Sequence, residues 1–200
     1  MFNIHQILNR LFDILFASVF LVIISPLYIL IYTTVYFVDG SPVIYRQDRL
    51  GKNERPFSIF KFRTMRVGAD KESQGLFSSS KDPRITRLGL FLRRNSLDEL
   101  PQFMNVLLGD MSIVGPRPAV VNELDTEIVP KNYKKRFKVK PGLTGLSQIS
   151  GRNNLTWEEK IRYDLRYLML KNKYDIMIDL YIIIMTIVVV LNKKGSIENG

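Results

Sequence analysis

The chain has 200 residues, room for one domain with a modest core, and its 29 Lys and Arg against 19 Asp and Glu give a formal charge of +10, which speaks of anionic partners rather than of fold. Cysteine is absent and His5 is the single histidine, which excludes disulfides, thiolate metal sites, histidine clusters and a Ser-His-Asp triad within one chain. Chemistry here must use carboxylates, lysine, arginine or a hydroxyl; no helix-turn-helix, zinc-finger or ribonucleoprotein pattern accompanies the charge, so nucleic acid is not an expected partner.

Residues 1–40 hold one cation, Arg10, against Asp13 and Asp39, so the surplus of positive charge lies wholly in the body of the chain. Within them, residues 11–38 form an apolar run of about 28 residues, roughly 42 Å if helical and more than the ~30 Å of a bilayer core. The segment is expected to be membrane-embedded. It is not read as a cleaved signal peptide, since it is too long, has little preceding charge and lacks a small-residue cleavage pattern. Ser25-Pro26 falls near its middle, where proline removes a helical hydrogen bond and Ser25 offers a hydroxyl to the freed backbone, so a bend is expected. Each half, about 14 residues or roughly 20 Å, is too short to cross alone. A helix that enters and leaves by one face and a kinked spanning helix both satisfy these residues, and the flanking charges do not decide between them. An apolar N-terminus before a basic body suits a protein resting on an anionic cytoplasmic leaflet.

Residues 43–49 and 57–63 alternate in polarity around a loop and predict a β-hairpin. Residues 65–82 are polar and aperiodic, a surface loop. Helical spacing of apolar residues marks 84–92, 101–108 and 157–170. Residues 176–191 are apolar around their circumference except at Asp179; a membrane-interface helix with Lys193 and Lys194 at headgroup level is preferred, although the Ile and Val content also permits a strand. There are no internal repeats or low-complexity tracts.

Three stretches carry groups suited to chemistry. In Arg93-Arg94-Asn95-Ser96-Leu97-Asp98-Glu99-Leu100-Pro101, two adjacent carboxylates follow two arginines. Ser96 to Glu99 matches a capping box, which would make both acids structural. Pro101 fits better with Asp98 as N-cap, which would set Asp98 and Glu99 at a helix mouth suited to phosphate. One carboxylate attacking phosphorus, the other holding Mg²⁺ and arginines neutralising the phosphate is a chemistry that such a cluster can support. Gly115-Pro116-Arg117-Pro118 presents a guanidinium between two prolines, either as a pre-organised ligand or as a rigid turn. Residues 141–154 form a Gly-rich stretch matching neither a Walker A nor a Rossmann pattern, a connector or a cradle for a nucleotide sugar.

Taken in order, Ser25-Pro26, Lys61-Phe62-Arg63-Thr64-Met65, Ser96-Leu97-Asp98-Glu99-Leu100-Pro101, Gly109-Asp110-Met111-Ser112, Gly115-Pro116-Arg117-Pro118, Pro141-Gly142-Leu143-Thr144-Gly145 and Gly151-Arg152-Asn153 resemble the bacterial sugar transferase family, in particular its small monotopic phosphoglycosyl transferases. The length is similar to the minimal form of that family. The resemblance implies a mostly helical α+β chain: a re-entrant membrane helix over 1–40, with both ends cytoplasmic, and a catalytic domain over 41–200 at the inner-membrane interface. It implies that Asp98 attacks the β-phosphate of a UDP-sugar, that UMP leaves and that polyprenol phosphate accepts the phosphosugar. Glu99 would bind Mg²⁺, Arg93 and Arg117 the phosphates, and Lys61, Gln148, Arg152 and Asp164 the nucleotide sugar. Leu146 departs from the pattern, standing where many relatives carry an aromatic residue. The sugar and the oligomeric state are not readable. Direct attack by the polyprenol phosphate, and a lipid-binding scaffold whose acids only cap a helix, are the competing readings.

Overall fold

The computed structural model describes residues 4–69, 82–120 and 132–192, with Asn153 described by its backbone alone; most of the expected loop over 65–82, and Lys193 and Lys194, lie outside these residues. Helix α1 (Ile4–Asp39) runs through Pro26 as one continuous helical element. The reason is local. Pro26 cannot donate to the carbonyl of Val22, and the Ser25 hydroxyl donates to that same oxygen at 2.8 Å, which satisfies the acceptor that proline orphans. At 36 residues α1 is about 54 Å long, long and apolar enough to cross a membrane. It ends at Gly40, whose positive φ of 79° lets its amide turn back on Val35 and Tyr36, the usual glycine C-cap.

The expected hairpin forms as β1 (Ile44–Leu50) and β2 (Pro56–Phe62), antiparallel from Ile44 opposite Phe62 to Leu50 opposite Pro56. A short β4 (Ala119–Val120) joins the other side of β1. The free edge of β2 is covered by a side chain: fully buried Asn105 accepts from the Phe60 amide at 3.0 Å and donates to the Ser58 carbonyl at 2.8 Å, satisfying two ladder groups that would otherwise be orphaned. Asn105 sits on α3 (Gln102–Leu108), which is thereby fastened to the sheet. Helix α2 (Arg87–Arg94) precedes it, N-capped by the Thr86 hydroxyl.

The Gly-rich stretch is not an open loop. Gly142–Thr144 form β5, parallel to β3 (Ser112–Val114), and Leu146–Ser150 form the short helix α4. The two strands come so close that a Cβ on Gly142 would lie 2.0 Å from the Gly115 amide nitrogen. Helix α5 (Trp157–Tyr174) starts with a complete Thr156–Glu159 capping box, and α6 (Ile176–Leu191) has the expected boundaries and is a helix, not the strand that its composition permits. One core joins Ala17 of α1 to Phe103, Met111, Ile113, Tyr167 and Ile182. A second sets Ile31 and Val35 of α1 on Phe62 and Leu92. A third gathers Leu50, Ala119, Tyr133, Phe137 and Ile161.

Helix α1 is thus held to one body along its length. Near its start, Arg10 donates to the Val106 and Leu107 carbonyls at the end of α3, and buried Asp13 accepts from the Ser112 hydroxyl and the Ile113 amide at 2.9 Å. At its end, Arg63 donates to the Asp39 and Gly40 carbonyls, and Thr86 donates to the Asp39 carboxylate at 2.9 Å. Between these ties Val22, Ile23, Ile29 and Leu30 are exposed, as are Ile184 and Ile187 of α6.

Candidate active site

Asn95 ends α2, and Ser96 then takes a left-handed conformation with φ of 56°. The chain turns there into a single 3-10 turn, Leu97–Glu99, before Pro101 opens α3. Neither capping arrangement expected from the sequence forms. Ser96 makes no cap hydrogen bond, and Asp98 is not an N-cap, because α3 starts beyond Pro101. The two carboxylates are held by tertiary contacts instead.

Glu99 accepts from Lys61 of β2 and from Arg117 of the β3–β4 connection, both at 2.9 Å and both on Oε1. Asp98 is 8 % exposed, and Arg93 of α2 is among the cations acting on it. Arg93 is aimed by the Thr64 hydroxyl, which accepts from its Nε at 2.8 Å. Arg152 reaches in from the 3-10 turn after α4, donating to the Ser96 hydroxyl at 3.0 Å, within the field of Glu99 and Asp98. Four cations from separate elements therefore converge on one carboxylate pair.

That surrounding splits the pair. Burial pushes Asp98 above the ordinary aspartate range against the pull of Lys61, and the negative Glu99 raises it further. Burial acts on Glu99 in the same sense, but Arg117 and Lys61 outweigh it and hold Glu99 well below the glutamate range. Two neighbouring carboxylates whose affinities for protons are driven apart are suited to different roles.

The other expected residues lie elsewhere. Gln148 is buried and its amide points back to the Leu143 carbonyl at 3.4 Å. Asp164 is in the core, 1 % exposed, rather than on a surface a nucleotide sugar could touch. It pairs with Arg136 at 2.9 Å and accepts from Ser147 at 3.1 Å; burial, opposed by Arg136, pushes its carboxyl up to about 6. Thr64 and Arg136 were not singled out from the sequence. Thr64 carried a signal, since it lies in the Lys61 motif; nothing distinguished Arg136 from Lys134, Lys135 and Lys138.

Among the described residues no cluster of three or more His, Asp or Glu side chains gathers. Asp98 and Glu99 still fit Mg²⁺ in its usual mode, which takes one or two carboxylates and completes the octahedron with water and substrate phosphate.

The family model described as Bacterial sugar transferase matches residues 4–193. The galactosyl transferase CpsE of Streptococcus agalactiae serotype III (strain NEM316) is 42 % identical over 203 residues, covering 96 % of this chain and 44 % of the relative. The UDP-glucose:undecaprenyl-phosphate glucose-1-phosphate transferase of Klebsiella pneumoniae is 42 % identical over 192 residues, covering 92 % and 40 %. The exopolysaccharide production protein ExoY of Sinorhizobium fredii (strain NBRC 101917 / NGR234) is 39 % identical over 207 residues, covering 96 % and 89 %. The chain thus spans less than half the length of the first two relatives and most of the third.

Proposed function

Because the chain belongs to the bacterial sugar transferase family, we propose that it transfers a sugar phosphate from a UDP-hexose to undecaprenyl phosphate, an early membrane step in the assembly of a surface polysaccharide. The observation that carries the reading is the convergence of Lys61, Arg93, Arg117 and Arg152 on the Asp98–Glu99 pair. Such a cluster neutralises a diphosphate while leaving one carboxylate as nucleophile.

Ionised Asp98 attacks the β-phosphorus. A bond forms from its carboxylate oxygen to that phosphorus, the bond from the β-phosphorus to the oxygen bridging the two phosphates breaks, and the electron pair leaves on UMP. An oxygen of the polyprenol phosphate then attacks the same phosphorus, and the carboxylate is released. Arg117, 45 % exposed, and Arg93 hold the phosphate oxygens; Lys61 keeps Glu99 ionised and in place. Mg²⁺ held by Glu99 and the diphosphate would draw off charge during the displacement. Lys61 and Arg152 remain the nucleotide-sugar contacts; Gln148 and Asp164 support the site from behind.

The acceptor lives in the bilayer, and the ties at both ends of α1 support a re-entrant placement. Helix α1, about 54 Å along its axis, is fastened near Arg10 and at Asp39 to one body, which favours both ends lying on the same side of a membrane. The exposed apolar residues of α1 and α6 then meet lipid, with the basic body at the cytoplasmic leaflet.

The purified protein in detergent, given UDP-glucose or UDP-galactose with undecaprenyl phosphate and Mg²⁺, is expected to release UMP, and Asp98→Asn to release none while keeping its melting temperature. Without acceptor, labelled phosphosugar should stay on the wild type and not on Asp98→Asn. An active Asp98→Asn would return the dyad to a structural role; wild-type turnover without a trapped adduct would favour direct attack by the lipid phosphate.

A further inference from the structure

Behind the site, Arg136 forms the centre of a buried cluster, Asp164 included, to which the proposed reaction assigns no chemical step. Its side chain is 2 % exposed and pairs with Asp164, itself 1 % exposed, at 2.9 Å. The guanidinium lies over three rings, 5.3 Å from Tyr133, 5.4 Å from Trp157 and 5.8 Å from Phe137. Its Nη2 also donates to the backbone carbonyl of Arg117. Asp164 is fixed in turn by the Ser147 hydroxyl of α4.

Resting on the phosphosugar reading above, we propose that Arg136 is the positioning residue of Arg117, and that Tyr133, Trp157, Phe137 and Asp164 form the seat that holds it. Arg136 cannot itself reach substrate. The cleft that it shares with Arg117, Gly51, Phe137 and Pro141 has a volume of about 10 Å³, room for about one water. What reaches the dyad is Arg117, whose guanidinium meets Glu99 at 2.9 Å. Pro116 and Pro118 limit the backbone on either side, but two prolines define a shape without fixing its place. The place is set by the carbonyl between them, gripped from the core side by Arg136. Arg49 steadies the same turn by donating to the Pro118 carbonyl at 3.3 Å.

A lysine cannot substitute. The guanidinium carbon lies 5.3 to 5.8 Å from three ring centroids while Nη2 meets both the Asp164 carboxylate and the Arg117 carbonyl; an ammonium is a compact point charge at the end of a flexible stem.

The test is a double-mutant cycle on UMP release with Arg136→Lys and Arg117→Ala. Arg136→Lys alone is expected to lower kcat/KM by about 10- to 100-fold, the usual cost of losing a supporting contact behind an active site. In the Arg117→Ala background the same change should add less than twofold, because the residue that it positions is gone. Equal losses in both backgrounds would overturn the proposal. If Arg136→Lys does not fold, Trp157 decides: it is the sole tryptophan, and it lies against Arg136. Bound UDP-glucose should shift its emission in the wild type and not in Arg117→Ala; binding seen by dialysis with no shift in the wild type would overturn the link. Failure of the phosphosugar reading would look different, as a wild type that releases no UMP from any donor.

Discussion

Asp98 and Glu99 are adjacent in the chain, yet their surroundings give them opposite proton affinities. Lys61 is the largest influence lowering Asp98, so its removal should raise Asp98 still further above an ordinary aspartate. In the proposed role of nucleophile Asp98 must be ionised, and activity is therefore expected to be lost as pH falls through its pKa. In Lys61→Met the acid limb of kcat/KM is expected to lie at higher pH than in the wild type, with about a tenfold loss per unit of displacement on the limb itself. An unmoved limb with a lower plateau would make Lys61 a substrate contact only. The dyad, Arg93 and Arg117 were legible in the sequence because they sit in short motifs whose spacing survives folding. Arg136 was not legible, since its meaning comes from Trp157 and Asp164, which only the fold brings to it.

Arg93 owes its position to a close passage between elements. Gly89 of α2 crosses the end of β2 so tightly that a Cβ there would lie 2.1 Å from the Thr64 carbonyl oxygen, a backbone atom that cannot swing aside. Gly89→Ala should therefore push α2 off the strand end, part Arg93 from the Thr64 hydroxyl and cost about 1–3 kcal/mol, read as a lower melting temperature together with reduced UMP release. Unchanged stability would mean that α2 can shift without harm. The hairpin, α3 and α5 were legible as elements because their apolar residues recur with a period; α6, apolar around its circumference, was legible as a segment whose composition also permitted a strand. The turn that carries the dyad was not, because Ser96 is left-handed and the helix waits for Pro101. Nor were β3 and β5, three-residue strands stabilised by pairing with each other across intervening chain and needing glycine at the contact.

For the whole molecule, the decisive feature is that α1 is tied to the body at both ends, a fact that the apolar run of the sequence could not contain because both partners of each tie are distant in the chain. The natural absence of cysteine allows a clean test: His5→Cys and Ser41→Cys, singly, in sealed membrane vesicles. An impermeant thiol reagent is expected to label both from the same side; labelling from opposite sides would remove the re-entrant placement. Two fastenings also make α1 a level. A helix tied once could rock and tip the dyad toward or away from the lipid, whereas one tied at Arg10 and Asp13 and again at Asp39 cannot change pitch without breaking hydrogen bonds at one end. On the re-entrant placement proposed above, the height of Asp98 above the bilayer would be a property of the protein and not of the lipid, and a polyprenol phosphate acceptor would have to rise to that height in thick membranes and thin ones alike.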